Sequence, residues 1–428
     1  MAASTTTAPP TSTRVTSRQW WGVAATMFAI AWGGNEFTPL LVMYKNHGLP
    51  ATTVDLLLFY YVLGIVPALL IGGPLSDRYG RRALLRPAPL ISAAGALLLA
   101  FGSASVPMLA AGRVLCGVAL GLAMAVGGSW LKELAQPPFG PAQPGGTGAR
   151  RSAMSLTGGF AVGAGLAGAL AQWAPWPNEL AYLINVALCL IAAVWVTRVP
   201  ETVMPQANPG RLRDDLKVPA AGHRRFRYVI LPVALWLFTS AGTAYAIMPA
   251  LMAPHLRGAP IAFSALICVI TLSCGFAIQS VARRIDKPGT ARAAVVSLLF
   301  VTGGMVTATW ASGALTFWAT LAVAVVLGAG YGIGLVAGLQ EIERIARPDD
   351  LAGLTAVFYS VSYLGFGVPA LLASLHESAA FTYPAMFAVA TLAALACLAL
   401  VAVNYRTGSL IGKTDGGSGV GVVTVSRR

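Results

Sequence analysis

Long apolar stretches separated by short polar ones run through almost the whole chain. A helix needs about 20 mostly apolar residues to span a bilayer. Windows of that length fall at 20–44, 53–73, 84–104, 107–132, 152–173, 178–197, 228–253, 259–281, 291–311, 314–339, 352–375 and 381–404. The polar stretch from Pro200 to Arg227 divides these segments six and six. The pattern predicts an all-α membrane protein, with twelve transmembrane helices in two six-helix bundles. The bundles are expected at 20–198 and 228–404, joined by a basic linker at 199–227, with disordered tails at 1–19 and 405–428. The first apolar run starts at Trp20 and continues for a full span, so it does not read as a signal peptide.

Composition requires the bilayer as solvent. With 56% hydrophobic and 10% charged residues and a mean hydropathy of +0.71, 428 residues cannot hide their apolar surface in one soluble core. The net charge of +14 follows from topology rather than from a nucleic-acid partner. All of the 29 Lys and Arg except Lys45, Arg257 and the intramembrane Arg113 fall on the side of the N-terminus. That bias predicts both termini in the cytoplasm. Cys116, Cys189, Cys268, Cys274 and Cys397 lie within predicted spans as small packing residues, and neither they nor the four histidines form a metal or disulfide motif.

The segment Gly73-Pro74-Leu75-Ser76-Asp77-Arg78-Tyr79-Gly80-Arg81-Arg82 places four charges between two apolar spans. It resembles the signature G-x-L-x-D-R-x-G-R-R between helices 2 and 3 of the major facilitator superfamily. Gln279-Ser280-Val281-Ala282-Arg283-Arg284-Ile285-Asp286 is a degenerate second copy after span 8, as expected of a transporter built from repeats. Pro200-Glu201-Thr202 resembles another sequence common at this point in the superfamily. Gly73 and Gly80 permit a tight turn, and Asp77 suits a helix end or an arginine partner. Arg78, Arg81 and Arg82 can reach acidic groups, with Glu133 at the end of span 4 as the expected partner. The resemblance implies that this cluster locks an outward-open state and breaks for the protein to open inward.

Charge at membrane depth is costly and marks function. Glu36 lies about 12 Å from the outer end of span 1, and Arg113 about 9 Å from the same end of span 4. They are expected to meet as a proton-coupling pair. Gly33 and Gly34 loosen the helix around Glu36, and Pro39 frees the carbonyl of Asn35, a residue expected at the substrate cavity. Arg113, Gly117 and Gly121 share one face of span 4, which resembles a pattern carried there by proton-coupled members of the superfamily. Asp55, in the first turn of span 2, suits the helix dipole. Span 5 carries Gly158, Gly159, Gly163, Gly165 and Gly168. This glycine richness resembles that of exporters, although Leu166, Ala169 and Leu170 replace the hallmark ending G-P-x-x-G-G. Close helix packing explains such glycines equally well.

Spans 7 to 12 are expected to carry no charge away from their ends, which favours an apolar or weakly polar cargo over a strongly charged one. The expected cavity aromatics are Tyr61, Trp236, Tyr245, Tyr331, Phe358 and Tyr363. The resemblance implies a monomeric, multi-pass transporter of the plasma membrane, working by alternating access without a cofactor. The proton gradient would drive export of a small lipophilic or weakly polar drug or metabolite. Proton symport or facilitated uptake of a nutrient is the nearest rival, and a non-transporting receptor or scaffold the next. No constellation in the spans supports enzyme chemistry.

Overall fold

The computed structural model describes residues 19–140, 146–205, 211–347 and 350–406. The expected tails lie almost wholly outside these residues. The long elements are all helices: α1 (Trp20–Asn46), α2 (Ala51–Tyr79), α3 (Arg81–Phe101), α4 (Val106–Glu133), α5 (Thr147–Trp173), α6 (Leu180–Val196), α7 (Phe226–His255), α8 (Pro260–Ile285), α9 (Arg292–Ala314), α10 (Phe317–Ile345), α11 (Leu351–Ala379) and α12 (Tyr383–Val403). Ten of these, α2 to α5 and α7 to α12, are long and apolar enough to cross a membrane. The other two differ for physical reasons. α1 carries the polar centre Gly33-Gly34-Asn35-Glu36, and α6 has only 17 residues.

The signature segment is not a loop. α2 continues through Pro74 as far as Tyr79, and α3 starts at Arg81, so Gly80 alone makes the break. Its φ of 94° lies in the left-handed region that an L side chain resists. α10 likewise outruns its expected end and takes in Glu341, which is buried. This buried charge lies in the last turns of α10, at a helix end, and so leaves the sequence expectation for the spans unaltered.

Two large apolar cores form, one drawn mainly from α1 to α6 and one mainly from α7 to α12. Within the first, α1 packs along α5 and α2 along α4, while in the second α10 packs on α8 and α9. Small residues permit these approaches. A Cβ on Gly117 would lie 2.2 Å from the Tyr61 carbonyl oxygen, one on Gly121 2.6 Å from that of Ile65, and one on Gly159 2.4 Å from that of Phe28. Gly163 similarly meets Trp32. Such close backbone approach substitutes for the hydrophobic drive that helices lack in lipid. Contact between the halves runs along α5–α8, α1–α8 and α2–α11. Gly168 sits on the first of these seams, against Ala265, and Gly165 faces Val269 there.

Candidate functional site

Between the halves lies a cavity of about 400 Å³. Exposed Arg150, Arg283 and Glu343 stand at its mouth, at the ends of α5, α8 and α10 nearest the linker. Its inner end is closed by an aromatic cluster centred on Phe238. That ring stacks on Tyr363 at 4.2 Å and lies 4.8 Å from Phe366 and 5.8 Å from Tyr331. Beyond it is a second, smaller cavity of about 30 Å³, whose walls include Gly34, Asn35, Thr38, Tyr61, Arg113 and Tyr245. Phe160, Phe238, Leu272, Tyr331 and Tyr363 border both spaces.

Asn35, Tyr61, Tyr245, Tyr331 and Tyr363 thus lie on cavity walls, whereas Trp236 and Phe358 do not. Both of the latter are buried in the core of the second half, where Phe358 packs over Gly338. Phe238 is the residue the sequence reading missed. It lies two positions from Trp236, and two residues turn a helix by about 200°, so choosing the larger aromatic selected the wrong face. Asn35 also spans the seam: its Nδ2 donates to the Phe160 carbonyl at 3.3 Å and to Cys268 Sγ at 3.4 Å, and its Oδ1 accepts from Thr38.

Arg113 reaches α1 at the level of Gly34 and Phe37. Its Nη1 donates to the Gly34 carbonyl at 3.4 Å and its Nε to that of Leu57 at 3.3 Å. The guanidinium lies over the rings of Tyr61 and Phe37, at 4.1 and 4.6 Å from their centroids. Glu36 is fully buried, with one oxygen accepting from Trp32 Nε1 at 3.1 Å and the other without a partner. The expected direct pair is not made: no ion pair joins Glu36 to Arg113. Nor does Glu36 face the cavity. The α1 wall consists of Gly34, Asn35 and Thr38, and one residue further on the helix has turned by about 100°. Gly33, one turn before Glu36, abuts Asn185 of α6. The carboxyl therefore points into the first bundle. Asp55 is also buried, and its partner is Lys45 at 2.8 Å rather than the helix dipole alone.

At the linker end the signature residues form one network. Arg81 pairs with Asp77 at 2.5 Å and Glu133 at 2.8 Å, and Arg78 pairs with Asp215 of the linker at 2.6 Å. Glu201 accepts from the backbone amides of Arg81 and Arg82 at 2.9 and 2.8 Å, capping α3 just beneath Gly80. Arg82 Nη2 donates to the Thr197 carbonyl, and Gly73 accepts from Ser76. Glu201 and Asp215 were not among the expected residues; the motif Pro200-Glu201-Thr202 was the available signal. All of these partners belong to the first half or the linker. These contacts are made in the same structure in which the large cavity is lined at this end by exposed Arg150, Arg283 and Glu343. In the second half Arg225 pairs with Glu341, and Arg344 with Glu341 and Asp286.

Besides Asn35–Cys268 and Tyr363–Met124 at the cavities, further bonds between the halves stand at the opposite end. Glu377 accepts from the Thr52 amide at 3.1 Å and its hydroxyl at 2.6 Å. Gln172 of α5 accepts from the amides of Ile261 and Ala262, at 3.0 and 3.3 Å, and so caps α8.

Comparison with known proteins places this geometry in a family. Residues 21–368 match the family model of the Major Facilitator Superfamily. Over 100 residues the chain is 31% identical to the glucose transporter GlcP of Staphylococcus epidermidis (strain ATCC 12228 / FDA PCI 1200), a stretch covering 23% of this chain and only 22% of that relative. Among solved structures, a POT family transporter in complex with 5-aminolevulinic acid superimposes with a TM-score of 0.72 at 13% identity, covering 92% of this chain and 98% of that one. A mutant of the nucleoside transporter NupG does so with a TM-score of 0.70 at 12% identity, covering 90% and 99%. At such identities the likeness is one of fold.

Proposed function

The chain belongs to the major facilitator superfamily, and on that premise we propose that this membrane transporter moves a small lipophilic or weakly polar solute by proton-coupled alternating access. Twelve crossings, both termini in the cytoplasm, a monomeric state and a plasma-membrane location complete the proposal. The cavity between the halves, with its mouth at the linker end and bonds across the halves at the other, carries it. Aromatic walls suit an apolar cargo body, and the buried Glu36 is the group that takes the proton. Arg113 links the two sites, since it lines the small cavity and lies against α1 beside Glu36.

Export by antiport is the reading that the glycines of α5 favour. The placement of Glu36 outside the cavity walls favours a second one, co-transport, because cargo and proton need not compete for a single carboxyl. The test is flux in vesicles holding purified protein and a pH probe, with either sign of pH gradient, across a panel of lipophilic and polar solutes. Solute-triggered proton movement that vanishes in Glu36→Gln supports the proposal, and its direction separates antiport from co-transport. Undiminished proton-driven flux in Glu36→Gln would sink it.

A further inference from the structure

Arg113 is 1% exposed at membrane depth and makes no direct ion pair, the buried Glu36 acting on it only through space. Two ring faces and two carbonyls at the long end of hydrogen-bonding distance solvate it without cancelling its charge. A buried charge without a contacting counter-charge is costly, and spans keep such a group for function. A second observation points the same way. The Tyr61 hydroxyl, on a residue 3% exposed, has no hydrogen-bond partner. Both residues line the 30 Å³ cavity, which has room for about two water molecules or a headgroup of similar size. On its other side Phe238, Tyr331 and Tyr363 separate it from the 400 Å³ cavity, whose charged residues stand only at the mouth.

We infer that the cargo is an amphiphilic monoanion, its carboxylate held in the small cavity by Arg113 and the Tyr61 hydroxyl, and its apolar body lying among Phe238, Tyr331 and Tyr363. The inference rests on the transport reading above and refines its cargo, keeping the lipophilic body and giving its head a single charge. A planar guanidinium matches a carboxylate in charge and in donor geometry. A neutral headgroup leaves the guanidinium without a contacting counter-charge, and a dianion brings a second charge toward the buried Glu36. A flat or flexible apolar body suits the offset stacking that the cluster already shows.

The test compares acids with their amides on the purified full chain in detergent: benzoate, indole-3-acetate and octanoate beside benzamide, indole-3-acetamide and octanamide. Ligand-dependent thermal stabilisation reports affinity. At least one acid is expected to bind more tightly than its amide by about 10- to 100-fold, the worth of a charge-assisted hydrogen bond. The preference should vanish in Arg113→Gln, persist in part in Arg113→Lys and weaken several-fold in Tyr61→Phe. Binding of none of the three acids, amides that bind as well as acids, or an acid preference that survives Arg113→Gln would each overturn it. The paired comparison in the parent protein stands even if a variant fails to fold. Amides carried with proton movement as well as acids would leave the transport reading intact and remove this one. Acid preference without flux would do the reverse.

Discussion

Glu36 and Arg113 occupy neighbouring positions on α1 and α4 but face different surroundings, and each can be removed separately. Glu36→Gln keeps the side-chain shape and an acceptor for Trp32 Nε1 while removing the titratable group. Helix content and detergent stability should stay near the parent, whereas flux driven by a pH gradient should fall to the passive level. Phe238→Ala should weaken cargo binding by about 2- to 10-fold, since an apolar cargo packed on that ring gains roughly 0.5–1.5 kcal/mol from an aromatic contact. Trp236→Phe, in the core behind it, should leave cargo affinity unchanged when both variants are titrated with the same solute. Glu341→Leu leaves Arg225 buried without its counter-charge. A loss of about 3–5 kcal/mol is expected, read as a lower midpoint in thermal unfolding.

At the scale of elements, the α2–α3 junction shows how one residue type sets a helix boundary. Pro74 fails to end α2, whereas Gly80 ends it, with positive φ and with Glu201 filling the space where a Cβ would go. Gly80→Val should destabilise the first half by roughly 1–3 kcal/mol through strain and overpacking, measurable as earlier unfolding. The α2–α4 seam is equally intolerant, because Gly117 meets the Tyr61 carbonyl and Gly64 that of Val114. A Cβ there must push apart two helices that hold Tyr61 and Arg113. Gly117→Val is therefore expected to lower yield or stability and cargo affinity together. Only the spacing of Arg113, Gly117 and Gly121 was legible in the chain; which helix they face was not.

For the molecule as a whole, the two ends of the cavity are in opposite states. The linker end is open with its charge network intact, and the far end is held by Thr52–Glu377 and by Gln172 on α8. Alternating access requires the far-end bonds to part. A Thr52→Cys and Glu377→Cys pair joined by an oxidant should stop flux, and a reductant should restore it; unchanged flux in the cross-linked protein would show that this seam need not open. Gln172→Ala removes a cap and should raise reagent access to that end, scored by labelling of a cysteine placed at Thr38.

Hydropathy along the chain was enough to establish a helical membrane protein divided by a basic linker, because in lipid every backbone polar group must be satisfied within its own helix and the apolar run lengths follow directly. The signature residues and the presence of an acid and a base at membrane depth were legible for the same reason: charge stands out in an apolar stretch. Facing was not legible. Helices apolar on most sides leave little periodic signal to choose between Phe238 and Trp236 or to turn Glu36 away from the cavity. Tertiary packing decided these, along with the pairing of Glu201 and Asp215 with the signature arginines. It also decided that Arg113 would meet aromatic rings and carbonyls instead of Glu36. Those contacts join residues from separate helices, and only the packed bundle sets their distances.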